Sequence, residues 1–245
     1  MARMSMLGQF LEFSVPAADP AASLDFYRRL GFSEIHVNDV RPGNYAAVTD
    51  GQIVIGLHGS AGPEAGLRGG SLDEPALTFV RPGLAAHARA LVDSGVELVH
   101  QRLDDDQFHE IRLRSPGGHL LQLLEAPTFS VTDEDRPAPV IGRCIRLELG
   151  CDMPEATQLF FEQGGFLGSG VHEQADAADE ILLAVPGLLL ALVPSRAGGS
   201  IAPMFEPGGA WQSALIERGF ATRRAGHGSQ LVAPEGTLLR LMPGS

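Results

Sequence analysis

Six side chains have the types and spacing to do acid–base or ligand-binding chemistry: Glu12, Ser14, His58, Glu110, Arg112 and Gln122. In Phe10-Leu-Glu-Phe-Ser-Val15 the period of two of a strand puts Phe10, Glu12 and Ser14 on one face and Leu11, Phe13 and Val15 on the other. Glu110 and Arg112 share a face in the same way, opposite Ile111 and Leu113. A carboxylate beside an imidazole makes a metal-free acid–base couple, the carboxylate fixing the ring while its far nitrogen moves a proton. Glu12 and His58 are the candidates for that couple if the fold brings them together. With Gln122 they could instead hold a divalent cation. The plainer expectation is a polar lining, or a rim, that orients a ligand without chemistry.

Other reactive types are read more simply. His36, His100, His109 and His172 fall on hairpin strands, His87 on a helix beside alanines, and His227 between Gly226 and Gly228. His119 follows Gly117-Gly118 and is expected to serve a turn. Asp104-Asp105-Asp106 lacks the spacing of a calcium loop and reads as a solvated hairpin tip. The Gly-Leu-Arg-Gly-Gly segment at 66–70 has neither the strand-to-helix context nor the lysine of a phosphate loop and reads as a linker. Cys144 alternates with Arg146 and Glu148 and is expected on their face, as a packed rather than nucleophilic thiol. With Cys151 it makes only two cysteines and no CxxC pair, which excludes a disulfide framework and a cysteine zinc site. Trp211 is expected to pack.

The 245 residues suffice for two ordinary domains, and 44% hydrophobic with 20% charged residues is the composition of a globular protein. A formal net charge of −12, from 18 Lys and Arg against 30 Asp and Glu, argues against a nucleic-acid partner, whose phosphates need a basic face. It suits a cationic or amphipathic guest, and it also keeps a protein dissolved. No apolar run approaches the roughly 18 residues that span a bilayer. The first residues, Met-Ala-Arg-Met-Ser-Met-Leu-Gly, lack the apolar core of a secretory signal. The expectation is a cytoplasmic protein with no membrane partner.

The elements that must position these side chains repeat. A strand over 10–15 is followed by Asp19, placed to cap a helix, and Pro20, suited to its first turn. Leu24, Phe26, Tyr27 and Leu30 form a helical apolar stripe, and Gly31 can take the left-handed conformation that stops it. Strands near 33–38, 45–49 and 52–58 complete a βαβββ unit. Three further copies are read at about 75–125, 143–194 and 200–242, against 9–58 for the first. In the third copy Phe160-Phe161 and Gly165-Phe166 stand where Phe26-Tyr27 and Gly31-Phe32 stand in the first. Ala126 to Gly142, rich in Pro, Asp and Glu, reads as a linker. The expected domains are therefore 1–127 and 143–245, joined by 128–142.

With that pattern exposed, the chain resembles the vicinal oxygen chelate superfamily of glyoxalases, bleomycin-resistance proteins and extradiol dioxygenases. Three stretches carry the resemblance: Ser-Val-Pro…Ser-Leu-Asp-Phe-Tyr-Arg-Arg-Leu-Gly-Phe at 14–32, Ala-Leu-Thr-Phe-Val…Leu-Val-Asp-Ser-Gly-Val-Glu-Leu at 76–98, and Ser-Pro-Gly-Gly-His-Leu-Leu-Gln-Leu-Leu-Glu at 115–125. It implies an α+β fold in which four βαβββ modules form two tandem glyoxalase-like domains, each a curved mixed sheet closing around a cup. It further implies that Glu12, His58, Arg112, Gln122 and Glu110 share the first cup with Phe10, Ser14 and Phe79.

The resemblance also says where a metal should be held. Its positions fall on Phe10, Gly56, Pro75 and Gln122 in the first half and near Arg146, Ser200 and Arg240 in the second. Phe, Gly and Pro offer no donor, Arg repels a cation, and one amide oxygen is too little. The expectation is a metal-independent protein with no cofactor, binding a small organic molecule in an apolar cup lined by Phe10, Glu12, Ser14, His58, Phe79, Arg112 and Gln122. It would be a monomer built as a pseudo-dimer, or a homodimer. The alternative is a lyase, isomerase or dioxygenase with a rearranged site around Glu12, His58 and Gln122.

Overall fold

The computed structural model describes residues 6–37, 44–59, 72–104, 108–129, 136–171, 180–196, 198–226 and 228–243. The expectations for 66–70, Asp105, Asp106, His172 and His227 lie outside these residues.

The first half runs β1 (Gln9–Ala17), α1 (Pro20–Leu30), β2 (Ser33–Ile35), β3 (Tyr45–Thr49), β4 (Val54–Gly59), β5 (Ala76–Val80), α2 (Leu84–Asp93), β6 (Leu98–Arg102), β7 (Glu110–Arg114) and β8 (Leu120–Leu124). The second repeats it as β9 (Arg143–Cys151), α3 (Pro154–Gln163), β10 (Leu167–Val171), β11 (Ile181–Val185), β12 (Leu188–Pro194), β13 (Ser200–Glu206), α4 (Trp211–Glu217), β14 (Arg223–Ala225), β15 (Gly228–Val232) and β16 (Leu238–Leu241). Each half is one eight-stranded mixed sheet, ordered β2-β3-β4-β1-β5-β8-β7-β6 and β10-β11-β12-β9-β13-β16-β15-β14. The antiparallel pairs β1–β5 and β9–β13 settle the module pairing, first with second and third with fourth. No helix among the described residues is long and apolar enough to cross a membrane.

Local signals work as the sequence suggests. Asp19 accepts the Ala22 N–H at 3.1 Å, Pro20 opens α1, and Gly31 closes it at φ 98°. The helix-facing sides of both sheets bury one continuous apolar core, which includes Phe13, Tyr27, Phe79, Leu121, Leu149, Phe161 and Phe205. Edge-on aromatic pairs cross between the halves: Phe26–Phe220 at 5.2 Å, Phe32–Phe205 at 5.8 Å and Phe79–Phe166 at 6.3 Å between ring centroids.

Register shifts occur at the edge pairs β6–β7 and β10–β11, between Leu98 and His100 and between Gly168 and Val171, and at one residue of the central strand in each half. The β1–β5 register slips between Phe10 and Glu12, so Leu11 is a bulge. Below it Glu12 and Ser14 keep the cup face. Above it the faces exchange: Phe10 turns to the helix side and meets Phe79 at 5.7 Å, while Leu11 enters the cup beside Ile35, Ala47, Val54 and Leu124. The expectation that Phe10 lines the cup is therefore wrong, and so is that for Phe79, for a different reason: β5 alternates without an extra residue, so Thr78 on the cup face puts Phe79 with Leu77 on the helix side. The β9–β13 register slips at the matching place, around Ile145, and corrects Cys144 likewise. Cys144 is buried in the core against the helices rather than sharing the face of Arg146 and Glu148, and that burial raises its thiol pKa.

The segment expected to be a plain linker also has structural work. Val37 and Phe129 form an isolated antiparallel bridge, and the Phe129 ring is buried in the cup cluster with Leu11, Ile35, Val54 and Leu124. Ile141 lies in the common core.

The closing hairpin of each half docks on the other. The Glu235 carboxylate, in the β15–β16 turn, accepts Ser23 Oγ at 2.7 Å and Tyr27 OH at 2.8 Å from α1. In return His119, in the β7–β8 turn, reaches the Gly150 carbonyl with Nε2 at 3.1 Å and Ser115 Oγ with Nδ1 at 2.9 Å. A carbonyl only accepts, so Nε2 carries the proton and Nδ1 accepts from Ser115. Burial pushes the His119 pKa down to about 4. In the unfolded chain it returns to about 6.5. Between those values the unfolded chain takes a proton that the fold refuses. Stability is thus fully present above about pH 6.5 and drains away as pH falls toward 4, by at most about 3 kcal/mol. His119→Asn should be less stable at pH 7.5 yet lose less on acidification. Urea midpoints for both proteins at pH 7.5 and 5 test this, and parallel losses would refute it.

Candidate functional site

Glu12 is the centre of the first cup. Its carboxylate is 1% exposed and accepts from Ser14 Oγ at 2.6 Å, from His58 Nε2 at 2.8 Å and from the Tyr45 hydroxyl. Ser14 Oγ is also 2.6 Å from Thr78 Oγ1. Burial alone would raise the Glu12 pKa. The His58 hydrogen bond and charge, with the Ser14 and Tyr45 donors, outweigh it and leave the pKa lowered, so the group is an anion near neutrality. Sequence alternation places these partners: β1 turns Glu12 and Ser14 inward, β3 turns Tyr45, β4 turns His58, and β5 turns Thr78. The His58 and Tyr45 rings lie 4.8 Å apart at the rim, where the His58 side chain is 23% exposed.

Gly56 makes room for this arrangement. A Cβ built there would lie 2.3 Å from Glu12 Oε2, so the carboxylate fills the volume that any side chain at 56 would need. Glu12 thus faces the one cup-face position of β4 that has no side chain.

A single transverse row continues across the sheet. Glu12 pairs with Thr78, Thr78 with Gln122, Gln122 with Arg112, and Arg112 with His100. Arg112 and Arg102 both hold Glu110, at 2.6 Å and 3.2 Å. Two atoms in this row are buried with no hydrogen-bond partner among the described residues: Gln122 Oε1 and His100 Nε2. Gln122 as a residue is only 5% exposed. An unmade bond on a buried amide costs about 1–3 kcal/mol, which marks the atom as waiting for a donor.

Of the seven residues expected to line the cup, the structure brings together Glu12, Ser14, His58, Arg112 and Gln122, and places Phe10 and Phe79 elsewhere. Sequence reading missed Tyr45, Thr78, His100 and Phe129. Tyr45 and Thr78 carry the same period-two signal as Glu12 and could have been found from it. Phe129 lies outside any strand pattern.

The second cup has the same geometry and different chemistry. Register places Arg146 at the site of Glu12, Glu148 at that of Ser14 and Arg240 at that of Gln122. Arg146 donates to Glu148 at 3.1 Å and pairs with Glu180 at 2.9 Å, while Arg240 pairs with Glu148 at 2.5 Å.

Among the described residues, neither cup offers the donor set that the resemblance calls for. Phe10 points away from the first cup, Gly56 has no side chain and its space is taken, Pro75 has no donor, and Gln122 contributes one neutral oxygen. Glu12 and His58 are spent on each other. At the matching places in the second half stand two arginines. The residues present do not fit a divalent metal at these positions.

Residues 9–123 match the model of the glyoxalase/bleomycin resistance protein/dioxygenase superfamily. No curated protein matches the chain at a significant level. Among solved structures, the chain is similar to the 2,3-dioxygenase LapB of Pseudomonas sp. KL28, with 15% identity, a TM-score of 0.60 and coverage of 99% of this chain and 94% of that one. It is similar to homoprotocatechuate 2,3-dioxygenase of Arthrobacter globiformis, at 13% identity and a TM-score of 0.61 over 100% and 82% of the two chains. It is also similar to the Mn(II)-bound glyoxalase of Novosphingobium aromaticivorans, at 14% identity and a TM-score of 0.58 over 96% and 82%. At such identities the likeness is one of fold.

If Glu12 fills the place of a side chain at 56, Gly56→Ala should cost about 1–3 kcal/mol in the native protein. The cost should fall by more than half in a Glu12→Ala background. Denaturant titration of the four proteins in this double-mutant cycle measures it, and additive losses would sink the explanation.

Proposed function

Because the chain belongs to the glyoxalase/bleomycin resistance protein/dioxygenase superfamily, we propose that it is a metal-independent member that binds a small organic molecule in its first cup. The observation that carries this reading is Gln122 Oε1, a buried acceptor with no partner among the described residues, two strands from a carboxylate that three donors keep ionised. Such a pair selects a guest that presents an N–H or O–H group, and the Glu12 charge favours a cationic one. Leu11, Val54 and Leu124 supply an apolar wall for the rest of the guest, and Phe129 now lies against it. Entry runs past Tyr45 and His58, the half-exposed rim. Arg112, held by Glu110, rejects a second cation beyond the row.

The Glu12–His58 contact of 2.8 Å also supports a second reading, proton transfer in a lyase or isomerase, in which His58 moves the proton and Glu12 orients it. Tyr45 and Ser14 would then stabilise the carboxylate throughout. No step in either reading passes through a metal.

Protein purified without chelator should carry less than stoichiometric iron, zinc, manganese or nickel by elemental mass spectrometry. Phenethylamine, an apolar ring with a cationic donor, should raise the melting temperature with rising concentration. The shift should disappear in Gln122→Leu. Stoichiometric metal that is lost in His58→Ala, or a phenethylamine shift unchanged in Gln122→Leu, would overturn the binding reading. Turnover of a substrate abolished in His58→Ala while binding persists would favour the acid–base reading.

A further inference from the structure

A second concavity lies away from the first cup. A cleft of about 470 Å³ opens between the β3–β4 turn and the β11–β12 hairpin, at the bulged end of the second cup. Its walls are apolar: Ile53, Ile145, Ala184 and Leu189 line it. Its only charged lining residues are Arg143 and Arg146, with no carboxylate among them. In a chain of net charge −12 this is a local reversal of sign.

Three observations make the cleft a site rather than a dent. The β9 bulge turns Ile145 out of the helix-facing core and leaves it 41% exposed, an apolar surface with nothing described upon it. Arg146 commits Nη2 to Glu148 and Nη1 to Glu180, but its Nε is buried with no partner among the described residues. Arg143, an exposed residue at the cleft edge, donates one Nη to the Arg136 carbonyl. Beyond Arg146, Arg240 pairs with Glu148 by one nitrogen while its side chain stays 46% exposed. Three guanidinium groups stand along this end of the sheet; Glu148 and Glu180 pair with Arg146, each keeping one buried oxygen without a hydrogen bond among the described residues, Glu206 lies across from Arg143 on β13, and the Asp50 carboxylate beside the cleft is taken up by the N–H groups of Gln52, Ile53 and Cys144.

We propose that this cleft binds an amphipathic carboxylate, its apolar chain against Ile145 and Leu189 and its anionic head at Arg143 and Arg146. The unpaired Arg146 Nε gains an acceptor, and the exposed Ile145 gains cover. A volume near 470 Å³ accommodates a chain of about eight carbons with its head group. The guest is opposite in charge to the one that the first cup favours, so the two halves would serve different ligands on one fold.

Isothermal titration with octanoate tests the proposal. Octanoate should bind the full chain with one site, and octan-1-ol at least tenfold more weakly. Ile145→Asp, which sets a carboxylate on the wall without touching the ion cluster, should weaken octanoate tenfold or more while thermal unfolding stays unchanged. Arg146→Met should do the same, with folding checked by circular dichroism because Glu148 and Glu180 lose a partner. Absence of octanoate binding, equal binding of octan-1-ol, or an unaltered affinity in Ile145→Asp would each overturn it. Gln122→Leu should leave octanoate binding intact, which separates this site from the first cup.

Discussion

A carboxylate taken out of water in the middle of a sheet survives as an anion only if donors surround it. Glu12 imposes that demand on the whole first cup. Ser14, Tyr45 and His58 meet it from β1, β3 and β4, and Thr78 on β5 steadies Ser14. Gly56 gives the group its volume. Strands far apart in sequence are thereby bound to one charge, and none of the four donors can be exchanged without leaving a buried lone pair unmatched. The curvature of the sheet supplies the hollow. The charge decides what lines it.

The second half solves the same problem with the signs reversed. Arg146 occupies the register position of Glu12, and Glu148 and Glu180 answer it as Ser14, Tyr45 and His58 answer Glu12. Backbone hydrogen bonding and the apolar helix-side faces define the sheet in both halves, so the cup face is free to carry either charge provided that it is paired. A shared architecture accordingly leaves the ligand open, and the positions that hold a metal in the resemblance are here given over to an internal hydrogen-bonded cluster and an ion cluster.

Most of the fold was legible because it rests on local rules. Asp19, Pro20 and Gly31 set the ends of α1, and alternation placed the four strands of each of the four copies within a few residues of the sixteen observed. The same rule put Glu12, Ser14, Arg112 and Gln122 on one face, since each is separated by an even number of residues from a neighbour whose side is fixed by burial. It failed at Phe10 and Cys144 for one reason. A bulge adds a residue to one strand only, so the defect exists in the pairing with β5 or β13 and not in the strand read alone. Leu11 and Ile145 are apolar on either face, which hides the slip from any hydropathy pattern. Phe129 was illegible on different grounds: its position depends on a bridge to Val37, a partner from the other side of the first half.

The reciprocal hairpin docking bears on how the chain comes to be folded. Ser23 and Tyr27 find their acceptor on Glu235, 212 and 208 residues later in the sequence. Until that turn has been synthesised, the outer side of α1 is an apolar surface with two hydroxyls lacking their carboxylate. The first half can form its sheet as it leaves the ribosome, but its helix layer is finished only by residues made after almost everything else. Contacts of such high sequence separation slow the final step and expose the nascent half to chaperones or to a neighbour's matching hairpin. Exchange of halves between two chains is the natural error of this design, since the partner's turn would fit α1 as well as its own does.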